Sequence, residues 1–410
     1  MAKLEKILKF PKGFFWGTST SAYQIEGGIK NDWSEWEGNK LRIKNLKLKG
    51  LNPDDFICGQ ACDSYHRYEE DLDLCLDLNC NAYRTGIEWA RIEPKEGQWD
   101  MKEIEHYRKV LQAAKKRNLK VVLTLWHWTN PIWLAEQGGW ANKNVVKYFS
   151  RYCQLIADEL EETVDYWVTL NEPMVHVFNG YINGKFPPNK KNIILAIKTF
   201  NNLVKAHKQA YQIIHKKLPK AKVSITKLYN FYEPAHKWCL VELIFASIAH
   251  YFGNQRLLNK IEKYLDYIAF DYYFHNRIVW YPPFKKNLNK EVTDMGWEIY
   301  PNGIYFVLKY LKKFKKPIFI MENGLANADD SKRQKFIVEH LKYIHRAIKE
   351  GVDVRGYFYW SLMDNFEWAD GWAPKFGLYE MDRKTFKRTA RPSAKAYAEI
   401  CKKNELVNSK

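Results

Sequence analysis

Short apolar segments alternate along the chain with longer segments whose apolar residues recur every three or four positions. Eight of the short segments have the length and composition of buried β-strands. They are FFWGTSTSAYQ from Phe14, NAYRTGIEW from Asn81, KVVLTLWHW from Lys120, YWVTLNEP from Tyr166, KVSITKL from Lys222, YIAFDYYF from Tyr267, PIFIMENG from Pro317 and VRGYFYWSL from Val354. This alternation predicts repeated βα units and a parallel sheet.

The segments between these strands have the periodicity of amphipathic helices. Examples are IEHYRKVLQAAKKRN, which begins at Ile104, and RQKFIVEHLKYIHRAIKE, which begins at Arg333. No linker rich in Pro, Gly or Ser divides the chain. Eight βα units without a break predict a (β/α)8 TIM barrel that occupies residues 1–410 as a single catalytic domain, with a core from about residue 10 to about residue 400.

Polar or charged residues stand at the C-terminal ends of nearly all predicted strands. In a closed parallel barrel these ends converge on one face, which is where the active sites of such barrels lie. The residues are Gln24, Arg84, His127, Asn171, Glu172, Asp271, Glu322 and Asp364. We therefore expect the catalytic face to be built from this set.

Two carboxylates in this set, Glu172 and Glu322, each end an apolar strand and precede a turn. A carboxylate in such a place destabilises the fold unless it is paired or functional. One hypothesis is an acid/base pair, and the alternative is a pair of strand-end caps or ion-pair partners for Arg84. Glycoside hydrolysis needs two carboxyl groups, and their separation decides whether configuration is retained or inverted.

The segment YFYWSLMDNFEWADGW from Tyr357 combines aromatic and acidic residues. Sugars bind to flat aromatic surfaces through their C–H faces and to charged groups through their hydroxyls. Aromatic runs are also common in cores, but four polar residues here could not be buried unpaired among the rings. These residues are Asp364, Asn365, Glu367 and Asp370. The segment therefore favours sugar binding, as does the total of 16 Trp residues.

Composition excludes several other classes of protein. The formal charge is +18, yet Lys is scattered and no nucleic-acid motif accompanies it, so we expect no nucleic-acid partner. No stretch has the length of a membrane span or signal peptide, and seven Cys is an odd count, which together predict a cytoplasmic protein. Oligomeric state is left open.

Four cysteines, at positions 58, 62, 75 and 80, raise the possibility of a zinc site. However, residues 62–78 have helical periodicity, which would place Cys62 and Cys75 about 20 Å apart. We therefore predict no metal ion and no cofactor.

Nine segments resemble family 1 of the glycoside hydrolases, the β-glucosidase and β-galactosidase family. They follow the family's order from about residue 10 to about residue 400. The segments are FFWGTSTSAYQIEGG, NDWSEWE, ACDSYHRYEED, YRTGIEWARIEP, HWTNPIWL, TLNEP, MGWEIYP, MENG and WSLMDNFEW. The resemblance implies a retaining double displacement on a small-molecule β-glycoside.

The resemblance also implies roles for individual residues. Glu172 would be the general acid/base and Glu322 the nucleophile. Asn171 would hold the sugar 2-hydroxyl, Arg84 would keep Glu322 ionised, and Tyr273 would hydrogen-bond that carboxylate. The residues implied to bind the substrate are Gln24, His127 and Glu367 for the hydroxyls, Trp360 as a stacking platform, Trp128 and Trp368 as supporting contacts, and Trp297 on the aglycone side.

Two retained features narrow the implied substrate. Members that act on 6-phosphorylated sugars typically replace the pair at 367–368 with a phosphate site, so Glu367 and Trp368 indicate neutral sugars. Plant thioglucosidases replace the acid/base, which is present here as Glu172. Two alternatives use the same pocket: a transglycosylase, in which a sugar replaces water as acceptor, and a non-catalytic sugar-binding barrel, against which both Glu residues argue.

Several positions depart from the family pattern. Asp271 stands where Asn is usual, Ala269 where Gly is usual and Met321 where Thr is common. Asp271 could raise the pKa of a catalytic Glu or take over the contacts of the amide. Only 38 residues separate Leu228 from Tyr267, so we expect trimmed loops and helices in the middle of the barrel and a more open aglycone side.

Overall fold

The computed structural model describes residues 6–287 and 291–408. All eight predicted strands are present. Their first residues agree with the prediction within one residue, and their last residues differ from it by up to six. The strands are β1 (Lys6–Lys9), β2 (Phe15–Ser19), β3 (Ala82–Gly86), β4 (Lys120–Thr124), β5 (Tyr166–Asn171), β6 (Val223–Pro234), β7 (Ile268–Ile278), β8 (Ile318–Asn323), β9 (Val354–Trp360), β10 (Tyr379–Met381), β11 (Arg388–Ala390) and β12 (Glu405–Asn408).

Strands β2 to β9 form a closed parallel barrel in chain order, which confirms the predicted fold class. The barrel closes where β2 pairs with β9, with Ser19 opposite Trp360. Two small antiparallel pairs, β1 with β12 and β10 with β11, lie outside it. Since all eight barrel strands run in one direction, their C-terminal ends meet on one face.

Helices surround the barrel and connect most of its strands. They are α1 (Ala22–Glu26), α2 (Asp32–Glu37), α3 (Lys40–Leu48), α4 (Ser64–Asp77), α5 (Trp89–Ile92), α6 (Met101–Lys116), α7 (Ile132–Glu136), α8 (Val145–Leu160), α9 (Pro173–Tyr181), α10 (Ile193–Lys217), α11 (Leu240–His250), α12 (Arg256–Ile261), α13 (Asn302–Leu311), α14 (Arg333–Lys349) and α15 (Pro392–Lys403). Helices α4, α6 and α14 match the three helical segments predicted from apolar periodicity.

The barrel interior is filled by side chains from alternating strand positions. One buried cluster combines small and large residues: Ala82, Val122, Val168, Tyr267, Ala269, Phe319, Met321 and Phe358. A larger core lies between the strands and the helices. The interior is therefore solid below the catalytic face, which gives the residues above it a rigid base.

The state of the cysteines and the character of the helices can be read from the structure. All seven cysteines lie within the described residues and are free thiols, and Cys58, Cys62, Cys75 and Cys80 are buried. Within the same residues, no helix is both long enough and apolar enough to cross a membrane.

Candidate active site

A cavity of about 1020 Å³ opens at the C-terminal ends of the barrel strands. Its volume matches the upper range of small-molecule sites. Nine of the residues predicted from the sequence line it: His127, Trp128, Glu172, Tyr273, Trp297, Glu322, Trp360, Glu367 and Trp368. The remaining predicted residues, Gln24, Arg84, Asn171 and Asp271, are fully buried and do not line the cavity wall.

Glu322 lies near the end of β8 and is held by two donors. Arg84 donates from Nη1 to Glu322 Oε1 over 2.5 Å, and the hydroxyl of Tyr273 donates to Oε2 over 3.0 Å. Arg84 is completely buried, so its charge acts on Glu322 with little screening by water. The arrangement fixes Glu322 and stabilises its negative charge.

Glu172 occupies the residue between β5 and α9, where Pro173 begins the helix. Its backbone is left-handed, with φ of 40°, which turns the side chain away from the strand. Burial and the negative charge of Glu322 raise the pKa of Glu172 well above its usual value, against opposing contributions from Arg84, a hydrogen bond with Asp271, and Lys227. A carboxyl group in this environment holds a proton at a pH where an exposed glutamate has lost it.

The spacing of the acidic side chains bears on the chemistry. One carboxyl oxygen from each of Glu172, Asp271 and Glu322 lies within 4.8 Å of the others. This is close to the separation of about 5–5.5 Å in retaining glycosidases and shorter than the roughly 6.5–9.5 Å of inverting ones. Three acids could also attract a cation, but the guanidinium of Arg84 already lies against Glu322 and disfavours a second positive charge.

Asn171 organises the groups around the two glutamates. Its Oδ1 accepts hydrogen bonds from Arg84 Nη2 and from the hydroxyl of Thr226, each over 2.5 Å. Its Nδ2 donates to His127 Nε2 over 2.9 Å, which requires an unprotonated ring nitrogen. Burial, with Arg84 nearby, lowers the pKa of His127 well below its usual value, so the neutral ring can accept this bond.

The loop after β9 supplies the polar and aromatic groups predicted for sugar binding. Burial, with the charges of Asp370 and Glu322, raises the pKa of Glu367 to about 8. Glu367 Oε2 is buried and has no hydrogen-bond partner among the described residues. Beside it, the Trp368 ring stacks on His127 with centroids 5.7 Å apart and contacts Trp128 at 4.8 Å. An unpaired acidic oxygen beside flat rings suits a ligand that has both hydroxyls and C–H faces.

Gln24 is buried against the loop after β9, on the side away from the cavity. Its Nε2 donates to Asn365 Oδ1 over 3.0 Å and to the carbonyl of Phe366 over 2.7 Å, and its Oε1 accepts from Ser21. Gln24 also favours the ionised form of Glu367. In this structure the amide therefore supports the loop that carries Glu367.

Trp297 forms an aromatic wall on another side of the cavity. Its ring lies 4.6 Å from that of Phe274 and 6.0 Å from that of Tyr273. Trp297 is half-buried and borders the cavity.

Two residues have roles that the sequence did not indicate. Lys227 of β6 is buried, and its ammonium donates to the carbonyls of Leu228 and Gly253. Burial lowers the pKa of Lys227 to about 7, against the charges of Glu172 and Asp271. A lysine inside an apolar strand was the available signal. Asp364 was expected on the catalytic face, but it forms a buried ion pair with Arg391, does not line the cavity, and serves the fold.

Comparison with known proteins is consistent with this site. The model of glycosyl hydrolase family 1 matches residues 7–239 and 251–406. A 1,4-β-D-glucan glucohydrolase of Thermotoga neapolitana is 31% identical over 98% of this chain and 100% of its own length. A β-galactosidase of Sulfolobus acidocaldarius is 29% identical over 98% of this chain and 96% of its own length.

A solved structure of a β-glycosidase from Pyrococcus horikoshii is 36% identical and superposes with a TM-score of 0.88, covering 98% of this chain and 97% of that one. The chain therefore belongs to family 1 of the glycosyl hydrolases and is a retaining β-glycosidase. The alignment with the Thermotoga protein runs over 454 positions against 410 residues here, so this chain lacks segments that the relative has.

Proposed function

We propose that Glu322 is the nucleophile and Glu172 the general acid/base of a β-glucosidase-like O-glycosyl hydrolase. The difference between their surroundings carries this assignment. Glu322 receives hydrogen bonds from Arg84 and Tyr273, which favour a carboxylate. Glu172 Oε1 has no hydrogen-bond donor among the described residues, and burial with the nearby charge favours its protonated form. One acid is prepared to attack and the other to donate a proton.

In the first step Glu322 attacks the anomeric carbon while Glu172 protonates the departing glycosidic oxygen. The aglycone leaves as an alcohol, and the sugar is bound covalently to Glu322. In the second step Glu172, now ionised, takes a proton from water, which releases the sugar with its original configuration. Arg84 keeps the nucleophile in place, and Asn171, which is fully buried behind the cavity wall, orients Arg84 and His127.

Azide rescue of two variants tests the assignment. With a good leaving group, Glu172→Ala should still form the glycosyl-enzyme but hydrolyse it about 100- to 10,000-fold more slowly, because no base activates water. Azide needs no base and should give the β-glycosyl azide. Glu322→Gly should form no covalent intermediate and should give the α-azide. NMR of the glycosyl azides shows their anomeric configuration. If the two variants give the opposite products, the roles of Glu172 and Glu322 are reversed. If both variants keep full activity, neither residue belongs to the site.

We also propose that the substrates are neutral, with a β-D-glucosyl or β-D-galactosyl residue at the non-reducing end. The acidic Glu367 in the sugar loop supports this, because its carboxyl group can hydrogen-bond to sugar hydroxyls and offers no positive charge to a phosphate. The relatives described above include both a glucohydrolase and a β-galactosidase. A panel of aryl β-glucosides, β-galactosides and 6-phospho-β-glucosides would test the proposal, and preferred turnover of the phosphorylated sugar would overturn it.

We further propose that residues 1–410 form one catalytic domain that works in the cytoplasm without a nucleic-acid partner. The seven free thiols support a reducing compartment. Limited proteolysis followed by mass spectrometry tests whether the chain is one domain. Retention on immobilised DNA at several salt concentrations tests the absence of nucleic-acid binding. Fractionation of the source cells tests the location.

A further inference from the structure

Helix α11 (Leu240–His250) has its polarity reversed with respect to water. Its one acidic residue, Glu242, is fully buried and accepts hydrogen bonds from the backbone N–H and the ring of His236. Its large apolar side chains face outward, with Leu240 71% exposed, Ile244 50% exposed and Ile248 48% exposed. A helix that faces water has the opposite pattern. The outer face of α11 is therefore suited to an apolar partner.

The apolar surface extends beyond this helix. Trp238, just before α11, is 98% exposed, and Trp280 and Phe284 are exposed in the turn after β7. The two parts are adjacent, because the backbone N–H of Trp280 donates to the carboxylate of Glu242. Contiguous exposed apolar surface of this kind marks a binding site more often than an ordinary solvated face.

This surface is continuous with the active-site cavity. Phe252, in the π-helical turn after α11, lines the catalytic cavity and also an apolar groove of about 390 Å³ on α11. The groove also includes Leu243, Ile244 and Ile248. A ligand that leaves the cavity past Phe252 would lie directly on these side chains.

The position of the α11 groove relative to the sugar loop indicates that the leaving group is the part of the substrate that reaches the groove. The sugar loop follows β9, which closes the barrel against β2, whereas α11 connects β6 and β7. In the order of the eight barrel strands, β6 lies opposite β2. A sugar bound to Glu367 therefore has its leaving group directed toward the side on which α11 and Trp297 lie.

The sequence of α11 also departs from the family pattern. The family model matches the residues on both sides of α11 but not residues 240–250. The outward apolar side chains of α11 are therefore not a feature that the family model describes.

We infer that this enzyme takes β-glycosides whose aglycone is a long alkyl or acyl chain, with the chain lying on the α11 groove. The inference rests on the proposed function of the same site. Leu243 and Phe252 are nine residues apart, or roughly 14 Å along a helix, so a short or aryl aglycone does not reach the far end of the groove. The continuity of cavity and groove favours a chain attached to the sugar over a second copy of the protein.

A series of alkyl β-D-glucosides from methyl to octyl, each below its critical micelle concentration, tests the inference. We expect kcat/KM to rise about two- to fourfold for each added methylene, because each one removes apolar surface from water. A series with no such rise, while a nitrophenyl glucoside is hydrolysed, overturns the inference and leaves the proposed function intact. Failure to hydrolyse any β-glycoside overturns both.

Two matched variants locate the effect. Ile248→Ser should lower kcat/KM for octyl glucoside about fivefold and leave that for the nitrophenyl glucoside unchanged, because Ile248 lies in the groove, outside the cavity and about one helical turn from Phe252. Leu48→Ser removes an apolar side chain of the same size from the exposed end of α3 and should change neither. If both variants have the same kcat/KM for octyl glucoside, the inference is overturned. Sedimentation and vesicle binding would then show whether this surface forms a dimer contact or a membrane contact.

Discussion

Asp271, which is buried beneath the cavity, faces Glu172, which lines it, across a short gap. One carboxyl oxygen of each lies within 4.8 Å of the other and of Glu322. Neither oxygen of Asp271 accepts a hydrogen bond from an N–H or hydroxyl group in the described part of the chain. Burial and the charges of Glu322 and Glu172 raise the pKa of Asp271 well above its usual value, against Arg84. Such a pair is stable when it holds a proton between its members.

Asp271→Asn should move the alkaline limb of the bell-shaped profile of kcat/KM against pH to lower pH. In the wild type this limb reports loss of the proton that the Glu172–Asp271 pair retains, which is unfavourable because it leaves two adjacent carboxylates. An amide in place of Asp271 can donate to ionised Glu172, which lowers the pKa of Glu172. The expected shift is about one pH unit, since a hydrogen bond to a charged group contributes about 1.5–3 kcal/mol.

The control for this profile is Asp353→Asn, which changes an exposed aspartate paired with Arg355. Its limbs should coincide with those of the wild type. An alkaline limb that stays in place in Asp271→Asn would show that Glu172 titrates independently of Asp271.

The same substitution should stabilise the protein increasingly as pH rises. The pKa of Asp271 is raised in the folded state, so the folded state retains a proton that the unfolded chain loses above about pH 4. Folding stability therefore falls as pH rises from that value to the folded pKa and is constant beyond it. Denaturant unfolding of both proteins from pH 4 to 9 should show a growing advantage for Asp271→Asn, and a constant difference would contradict the linkage.

The periodicity of the sequence was sufficient for the barrel and its catalytic face. Runs such as KVVLTLWHW and PIFIMENG have the length and composition of buried strands, and eight of them in parallel can close on each other. Closure then brings strand ends that are far apart in the chain to one face. Closure is the reason that Glu172 and Glu322 could be predicted to lie on the same face, although 149 residues separate them.

Contacts that depend on strand register and on loop packing could not be predicted from the sequence. The register of β7 and β8 shifts between Phe270 and Asp271, which places Asp271 opposite Glu322. Strand patterns do not specify such a shift. Gln24 was expected to contact the sugar, but its position depends on how the loop after β9 folds over α1. The outward apolar face of α11 was also not predicted, because apolar periodicity alone does not show which face is exposed.

Gly324→Ala should abolish activity or folding, because this glycine allows β8 to pass close to β9. A Cβ atom at Gly324 would lie 1.8 Å from the carbonyl oxygen of Trp360, which is backbone and cannot move aside. Relief of that contact would displace Glu322 or Trp360, and displacements of about 1 Å in a catalytic site can cost about 100-fold in rate. Gly38→Ala, where the nearest atom is 3.6 Å away, is the control. Wild-type kcat/KM and thermal stability in Gly324→Ala would contradict the close approach.

Glu367→Ala should weaken transition-state binding without unfolding the protein. Glu367 lines the cavity, and its Oε2 has no partner among the described residues, so a sugar hydroxyl can fill that place. Removing the carboxylate leaves the hydroxyls unpaired in a buried site, which costs about 1.5–3 kcal/mol for each hydrogen bond lost, or roughly 10- to 150-fold in kcat/KM. Glu367→Gln keeps one acceptor and should lose less than Glu367→Ala.

The measurement compares kcat/KM of Glu367→Ala on an aryl β-glucoside and on its deoxy analogues, each of which lacks one sugar hydroxyl. If Glu367 binds a hydroxyl, its removal should cost less on the deoxy substrate that lacks this group, and a double-variant cycle over enzyme and substrate gives the coupling. Glu380→Ala removes an exposed glutamate from β10 and should leave both substrates unaffected. Equal losses on the parent and deoxy substrates would show that Glu367 supports the loop without touching the sugar, and unchanged kcat/KM would remove it from the site.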